Sequence, residues 1–179
     1  MKYMEEERVL ECYRRHKNTV YKLAYSYCKS SSLAEDAFQE VFYKFMVRSP
    51  RFTAPDHEKA WFIRTTINVC KDLLKAKWNR DIVTLEQWDG DHAHTADTSD
   101  VLDELREAIL SLPEKYRVPI HLYYYEEYSV REIARMLHRT ETAVQTQLQR
   151  GREKIKQTME RRDGNEIKPR YLRRSNGEC

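Results

Sequence analysis

Helical periodicity runs through this chain except over residues 79–100, where it stops. That interval fills with Asp, Thr, Gly and His, and it has too few apolar side chains to offset the entropy of ordering. The reading is a flexible acidic linker over 80–100, with small helical domains at 1–79 and 101–160 and a tail at 161–179. Only 4 Gly and 5 Pro occur among 179 residues, so turn signals are few, and no stretch alternates with the period of a strand. The expected fold class is all-α.

The first domain reads as three helices. Val9, Leu10, Tyr13, Val20, Leu23, Ala24 and Tyr27 share helical spacing, with a break expected near His16–Asn18. Ser32 precedes Glu35 at capping-box spacing and should open a second helix carrying Ala34, Ala37, Phe38, Val41, Phe42 and Phe45. Ser49-Pro50 ends it, and Pro55 keeps 49–57 irregular. A third helix should run from about His57 to Trp78, with Ala60, Trp61, Ile63, Ile67, Cys70, Leu73 and Leu74 as its apolar stripe.

Periodicity returns at Val101, Leu102, Leu105, Ile109 and Leu112. Ser111 and Glu114 read as a capping box for a further helix, which Pro119 should kink or split. Ser129 and Glu132 form a second box, opening a short helix with Val130, Ile133, Ala134 and Leu137 inward. His138-Arg139 makes a tight connection. Thr140 caps a last helix that carries Val144, Leu148 and Ile155 inward and runs to about Arg161.

The formal net charge of +3 hides strong segregation. Arg64, Lys71, Lys75, Lys77 and Arg80 face a single acid, Asp72, over 64–80; residues 81–100 carry acids and no Lys or Arg; the tail is basic again. Basic stretches parted by an acidic one suit a protein that touches a polyanion at separate places, although solvated helix faces look the same by charge alone. The 4 cysteines form no CxxC pair, which argues against a disulfide framework and a thiolate zinc site. His92 and His94 lie in the linker with no nearby Cys, so neither a metal nor any other cofactor is expected. No apolar run approaches the ~20 residues of a membrane helix, and the N-terminus turns acidic where a signal peptide turns apolar. The expectation is a soluble cytoplasmic protein without membrane insertion.

The strongest local pattern is 129–156, a short capped helix, a tight turn and a longer capped helix, which are the parts of a helix-turn-helix. Ala134 supplies the small residue needed where the two helices cross. Glu141, Gln145, Thr146, Gln149, Arg150 and Arg152 should point outward, and Thr140 at the cap is a further candidate contact. Gln and Arg side chains can bond base edges, so this helix could enter a major groove. A plain helical hairpin with a polar face is the alternative.

Leu112-Pro-Glu, Glu132-Ile-Ala134 and Arg150-Gly-Arg152, at their spacing, resemble region 4 of the sigma-70 superfamily, and specifically its small extracytoplasmic-function sigma factors. Ala34-Glu-Asp-Ala-Phe-Gln-Glu-Val-Phe42 resembles region 2.2, and Trp61-Phe-Ile-Arg-Thr-Thr-Ile-Asn68 with Asp72 and Leu73 resembles regions 2.3 and 2.4. The likeness covers about 8–79 and 101–158. It implies a transcription initiation factor rather than an enzyme, whose partners are core RNA polymerase, promoter DNA and an anti-sigma factor. The matching positions are Asp36, Gln39 and Glu40 for docking on the polymerase clamp. For the −10 element, the likeness implies Phe52 and Asn68 for a flipped base, with Arg64, Lys71, Lys75 and Lys77 on phosphates. Phe52 can equally anchor its loop on the core, and Trp61, on the apolar stripe, reads as packing. For the −35 element the outward residues of the last helix are implied. Gln145, Gln147 and Gln149 depart from the residues frequent in the family, so base preference does not carry over. The basic tail would offset the weaker charge. Two rivals remain at this point: a helix-turn-helix regulator that never enters the polymerase, which would have no use for the Asp36–Phe42 motif, and an enzyme with a DNA-binding tail. No phosphate loop, nucleophile elbow or catalytic carboxylate pair supports the second.

Overall fold

In a computed structural model, residues 6–80 and 100–163 are described and form seven helices in two units. The linker (apart from its edges) and most of the basic tail lie outside the described residues.

The first unit holds α1 (Glu6–Cys28), α2 (Ser31–Arg48) and α3 (Pro55–Arg80), each packed on the other two. α1 has no break at 16–18. His16 is buried, with its ring stacked on Phe62 at 4.4 Å, so a polar residue sits within the inward face instead of interrupting it. Ser30, not Ser32, caps α2: it is extended, and its side chain accepts from Leu33 N. Only Lys29 and Ser30 separate the helices, and Lys29 takes the left-handed conformation (φ 56°) that ends α1, so the next residue must already be the cap. Pro55 opens α3 instead of prolonging the loop, because its missing N–H has no helical partner in a first turn anyway.

The core of this unit centres on Phe62, fully buried and within 5.4 Å of Phe42 and 5.0 Å of Phe45 by ring centroids. The expected stripe named its neighbour Trp61, which is only half-buried. α3 packs against two helices at once, so its buried arc is wider than a stripe and takes in Phe62, Thr66 and Val69 as well. Thr66 Oγ1 donates to the Phe62 carbonyl at 2.8 Å, which satisfies its buried hydroxyl. Cys28 and Cys70, distant in sequence, meet as free thiols between α1 and α3.

The second unit holds α4 (Asp100–Ser111), α5 (Glu114–Tyr124), α6 (Val130–Leu137) and α7 (Glu141–Asp163). The expected Ser111 box does not form. Ser111 Oγ donates back to the Ala108 carbonyl at 2.7 Å, and Pro113 occupies the N-cap of α5 without a side-chain bond. Buried Arg117 instead reaches the carbonyls of Leu110 and Leu112 at the end of α4. Pro119 leaves α5 unbroken. It removes the donor for the Lys115 carbonyl, and Arg139 Nη1 approaches that carbonyl at 3.5 Å.

The Ser129–Glu132 capping box is complete, with Glu132 N at 3.3 Å from Ser129 Oγ and Ser129 N at 2.9 Å from Glu132 Oε2. His138 adopts φ 53° and donates to the carbonyls of Ala134 and Arg135, closing α6. Thr140 Oγ1 accepts from Ala143 N at 3.1 Å and starts α7. Ala134, Val144, Leu148 and Ile155 are buried as the spacing requires.

Gly151 lets α7 approach α5. A Cβ there would stand 2.5 Å from Ile120 Cδ1 and 3.3 Å from Ile120 Cγ1, and Ile120 is itself fully buried. Gly151→Ala gains up to ~1 kcal/mol of helix propensity but overpacks by ~1–3 kcal/mol, so a net loss of about 1 kcal/mol is expected in urea unfolding. Ile120→Val in the same chain removes Cδ1 and should recover part of it. A Gly151→Ala protein more stable than the parent would refute the close approach.

Candidate nucleic-acid and partner interfaces

Three surfaces carry the residues singled out above. In the first unit, an open groove of about 720 Å³ runs between α2 and α3. Asp36, Gln39 and Glu40 line it together from α2, and Asp72 and Leu73 line it from α3. Glu40 is held by Lys44 Nζ at 2.6 Å. The sequence reading missed Tyr43, which lines the same groove and is 56% exposed. Its spacing from Gln39 and Glu40 was the available signal. An acidic groove with an exposed aromatic suits a basic or mixed protein surface.

The second surface is the polar side of α3. Arg64, Asn68, Lys71 and Lys75 are all exposed and repeat every three or four residues, which aligns them along the helix. Lys77 is exposed too, but at 100° per residue it stands roughly 140° round the helix from Arg64. Phe52 lies in the loop before α3, half-buried, its ring 6.1 Å from that of Trp61. Trp61 also meets Phe45 and Phe62, so it links the core to this loop.

A buried polar cluster, unforeseen from sequence, fixes the start of α3. Glu58 Oε1 accepts from His16 Nε2 at 2.7 Å and from Arg15 Nη1 at 2.6 Å. Burial lowers the His16 imidazole from its ordinary value of 6.5, outweighing the pull of Glu58. Burial alone would raise Glu58, but the His16 hydrogen bond and the Arg15 charge hold it below its ordinary 4.5. Burial, then the Glu58 charge, pushes the Cys12 thiol up to about 11. Arg8 adds a bond to the Pro50 carbonyl, which ties α1 to the same loop. The residues lie too far apart in sequence for periodicity to join them.

The third surface is the outward face of α7. Gln145, Thr146, Gln149 and Arg150 are exposed. Gln149 Nε2 donates to Glu153 Oε1 at 3.1 Å, and Thr146 Oγ1 donates to the Thr142 carbonyl at 2.9 Å. Arg152 is half-buried beside Tyr124 and donates to its hydroxyl at 3.4 Å. Arg150 stands by Tyr116: burial would raise that phenol, but the Arg150 hydrogen bond and the Lys115 charge bring it down. Gln147 accepts from Arg139 at 2.8 Å and so is held to the turn. Thr140 uses its oxygen as the α7 cap, which leaves its hydroxyl proton free to donate. Among the described residues no cluster of His, Cys, Asp and Glu is placed to hold a metal, and no helix is long and apolar enough to cross a membrane. His92 and His94 lie outside the described residues.

The His16–Glu58 pair sets a pH dependence. The folded chain resists protonating His16 while the unfolded chain accepts the proton, so stability falls as pH drops through 6.5, and the depressed Glu58 adds a second loss below 4.5. Thermal melts followed by circular dichroism should show both limbs. His16→Gln keeps a donor for Glu58 and should flatten the upper limb; an unchanged slope there would rule out His16 as its source.

Residues 12–80 match the family model for sigma-70 region 2, and residues 102–155 match that for sigma-70 region 4. The chain is 28% identical over 146 residues to the RNA polymerase sigma factor SigV of Bacillus subtilis, covering 79% of this chain and 85% of that one. It is 26% identical over 158 residues to the extracytoplasmic-function sigma factor SigW of the same organism, covering 80% and 84%. The fold is similar to that of the sigma factor RpoE of Bartonella quintana, solved with the anti-sigma factor NepR, with TM-score 0.67 at 18% identity over 88% of this chain and 97% of that one. With region 2 and region 4 in the family's order, this chain belongs to the sigma-70 family, among the extracytoplasmic-function RNA polymerase sigma factors.

Proposed function

We propose that this alternative sigma factor divides its work among the three surfaces. It binds core RNA polymerase, directs it to promoters and initiates transcription, and it performs no catalysis of its own. The observation that carries the reading is the pairing of region 2 and region 4 in one chain, since a polymerase-docking helix has no use in a free-standing regulator. The polymerase-binding and −10 work falls to residues 1–79 and the −35 work to 101–160, with 80–100 as tether and 161–179 as a basic auxiliary.

Asp36, Gln39 and Glu40 in the α2–α3 groove take the clamp of the largest polymerase subunit, with Tyr43 adding apolar contact. Arg64, Lys71 and Lys75 hold phosphates along α3, which positions the strand and releases counterions. Asn68, on that same line, bonds the edge of an unstacked base, and Phe52 packs on its face from the loop. Lys77, on another side of the helix, serves a separate phosphate. On α7, Gln145 and Gln149 read base edges at the −35 element, Thr140 and Thr146 donate to phosphates or bases, and Arg150 and Arg152 flank them. The factor acts in the cytoplasm. RpoE of Bartonella quintana was solved with an anti-sigma factor, and for this chain such a partner would cover a polymerase-binding face until a signal removes it.

Run-off transcription with purified core polymerase on genomic fragments tests this. Discrete start sites absent with core alone are expected. Neither start sites nor core binding would overturn the reading. Asp36→Ala with Gln39→Ala should abolish core binding while the melting profile stays that of the parent; retained core affinity would move docking elsewhere.

A further inference from the structure

Trp78, near the end of α3, is 78% exposed, the highest exposure among the large apolar side chains of the described residues. An indole carries more apolar area than any other side chain, and a folded chain gains most by burying it. The other exposed apolar residues range from 39% to 56%. Among the described residues, little of its own unit covers Trp78.

Its place on the helix says what it faces. Arg64, Asn68, Lys71, Lys75 and Trp78 recur every three or four residues, so the indole continues the polar line of α3 by one further turn. From Arg64 to Arg80 the single carboxylate is Asp72, and Asp72 turns towards the α2 groove that it lines. Trp78 sits on the opposite flank, beside Lys71 and Lys75. The two lysines beside it, with Asp72 the one carboxylate from Arg64 to Trp78, complement a polyanion and repel a basic protein surface.

We propose that Trp78 is a DNA contact of this factor, an aromatic anchor that packs on the promoter strand tracked by Arg64, Lys71 and Lys75. The inference rests on the sigma reading above and adds a residue to its −10 surface. The lysines contribute through charge and ion release, which salt weakens. The indole contributes through stacking on a base or sugar face, which releases no ion and tolerates any sequence.

Holoenzyme assembled from core polymerase and the full chain is titrated onto the fragment that yields a start site in the run-off assay, over a series of KCl concentrations. Trp78→Ala should weaken binding about tenfold at every salt concentration, leaving the slope of log K against log salt unchanged. Trp78→Phe keeps a ring and should stay within about threefold of the parent. Lys75→Ala should instead make the slope shallower by about one. Core affinity and melting temperature should match the parent for both Trp78 variants. Parental affinity in Trp78→Ala overturns the proposal, as does a Phe variant as weak as the Ala one. So does a loss that appears in core binding, which would place the indole on the polymerase. If the parent itself neither binds core nor yields a start site, the sigma reading has failed; if the parent works and Trp78→Ala matches it, only the present inference has.

Discussion

The burial of Phe62 against α1 and α2 is the contact on which the first unit turns. It stacks on His16, meets Phe42 and Phe45, and fixes the rotation of α3 about its own axis. Once that rotation is set, the opposite side of the helix presents Arg64, Asn68, Lys71 and Lys75 together. Turning α3 by one residue, about 100°, would bury a cation and expose the core. The exposed line is thus a consequence of what the helix buries. The Glu58 cluster serves the same end, holding the first turn of α3 to α1 so that the adjoining loop, with Phe52 against Trp61, has a defined seat.

The second unit reaches its exposed helix by local chemistry. Side-chain caps at Ser129 and Thr140 and a left-handed His138 shape the turn, while the missing Cβ at Gly151 lets α7 lie close on α5. Arg139 joins these pieces, since it reaches the carbonyl that Pro119 deprives of its helical donor and also holds Gln147. A polar residue on α7 is therefore not always turned to solvent: Gln147 supports the turn, whereas Gln145 and Gln149 are exposed.

Features governed by a few neighbouring residues were legible in the chain. The Ser129–Glu132 box, the 138–140 turn and the inward faces of α6 and α7 follow from short-range spacing, and the structure has them. The differences arise from competing local bonds in two places and from tertiary partners in the others. Ser111 turns its hydroxyl back to the Ala108 carbonyl and so caps nothing ahead of it, and Ser32 yields to Ser30 because the connection is so short. Pro119 left its helix whole, with Arg139 at the vacated carbonyl. A one-sided stripe takes in Trp61 and passes over Phe62, because it cannot anticipate a helix with two neighbours.

By itself the sequence determined the helical class, the division at the linker, the helix-turn-helix and the family, because each rests on periodicity, capping or motif order within short spans. Only the tertiary structure decided which side chains share a surface. It placed Asp36, Gln39 and Glu40 in one groove with Asp72, joined His16 to Glu58 and left Trp78 in solvent. Those outcomes depend on how whole helices rotate to bury their apolar arcs, which is a property of the packed bundle and not of any one segment.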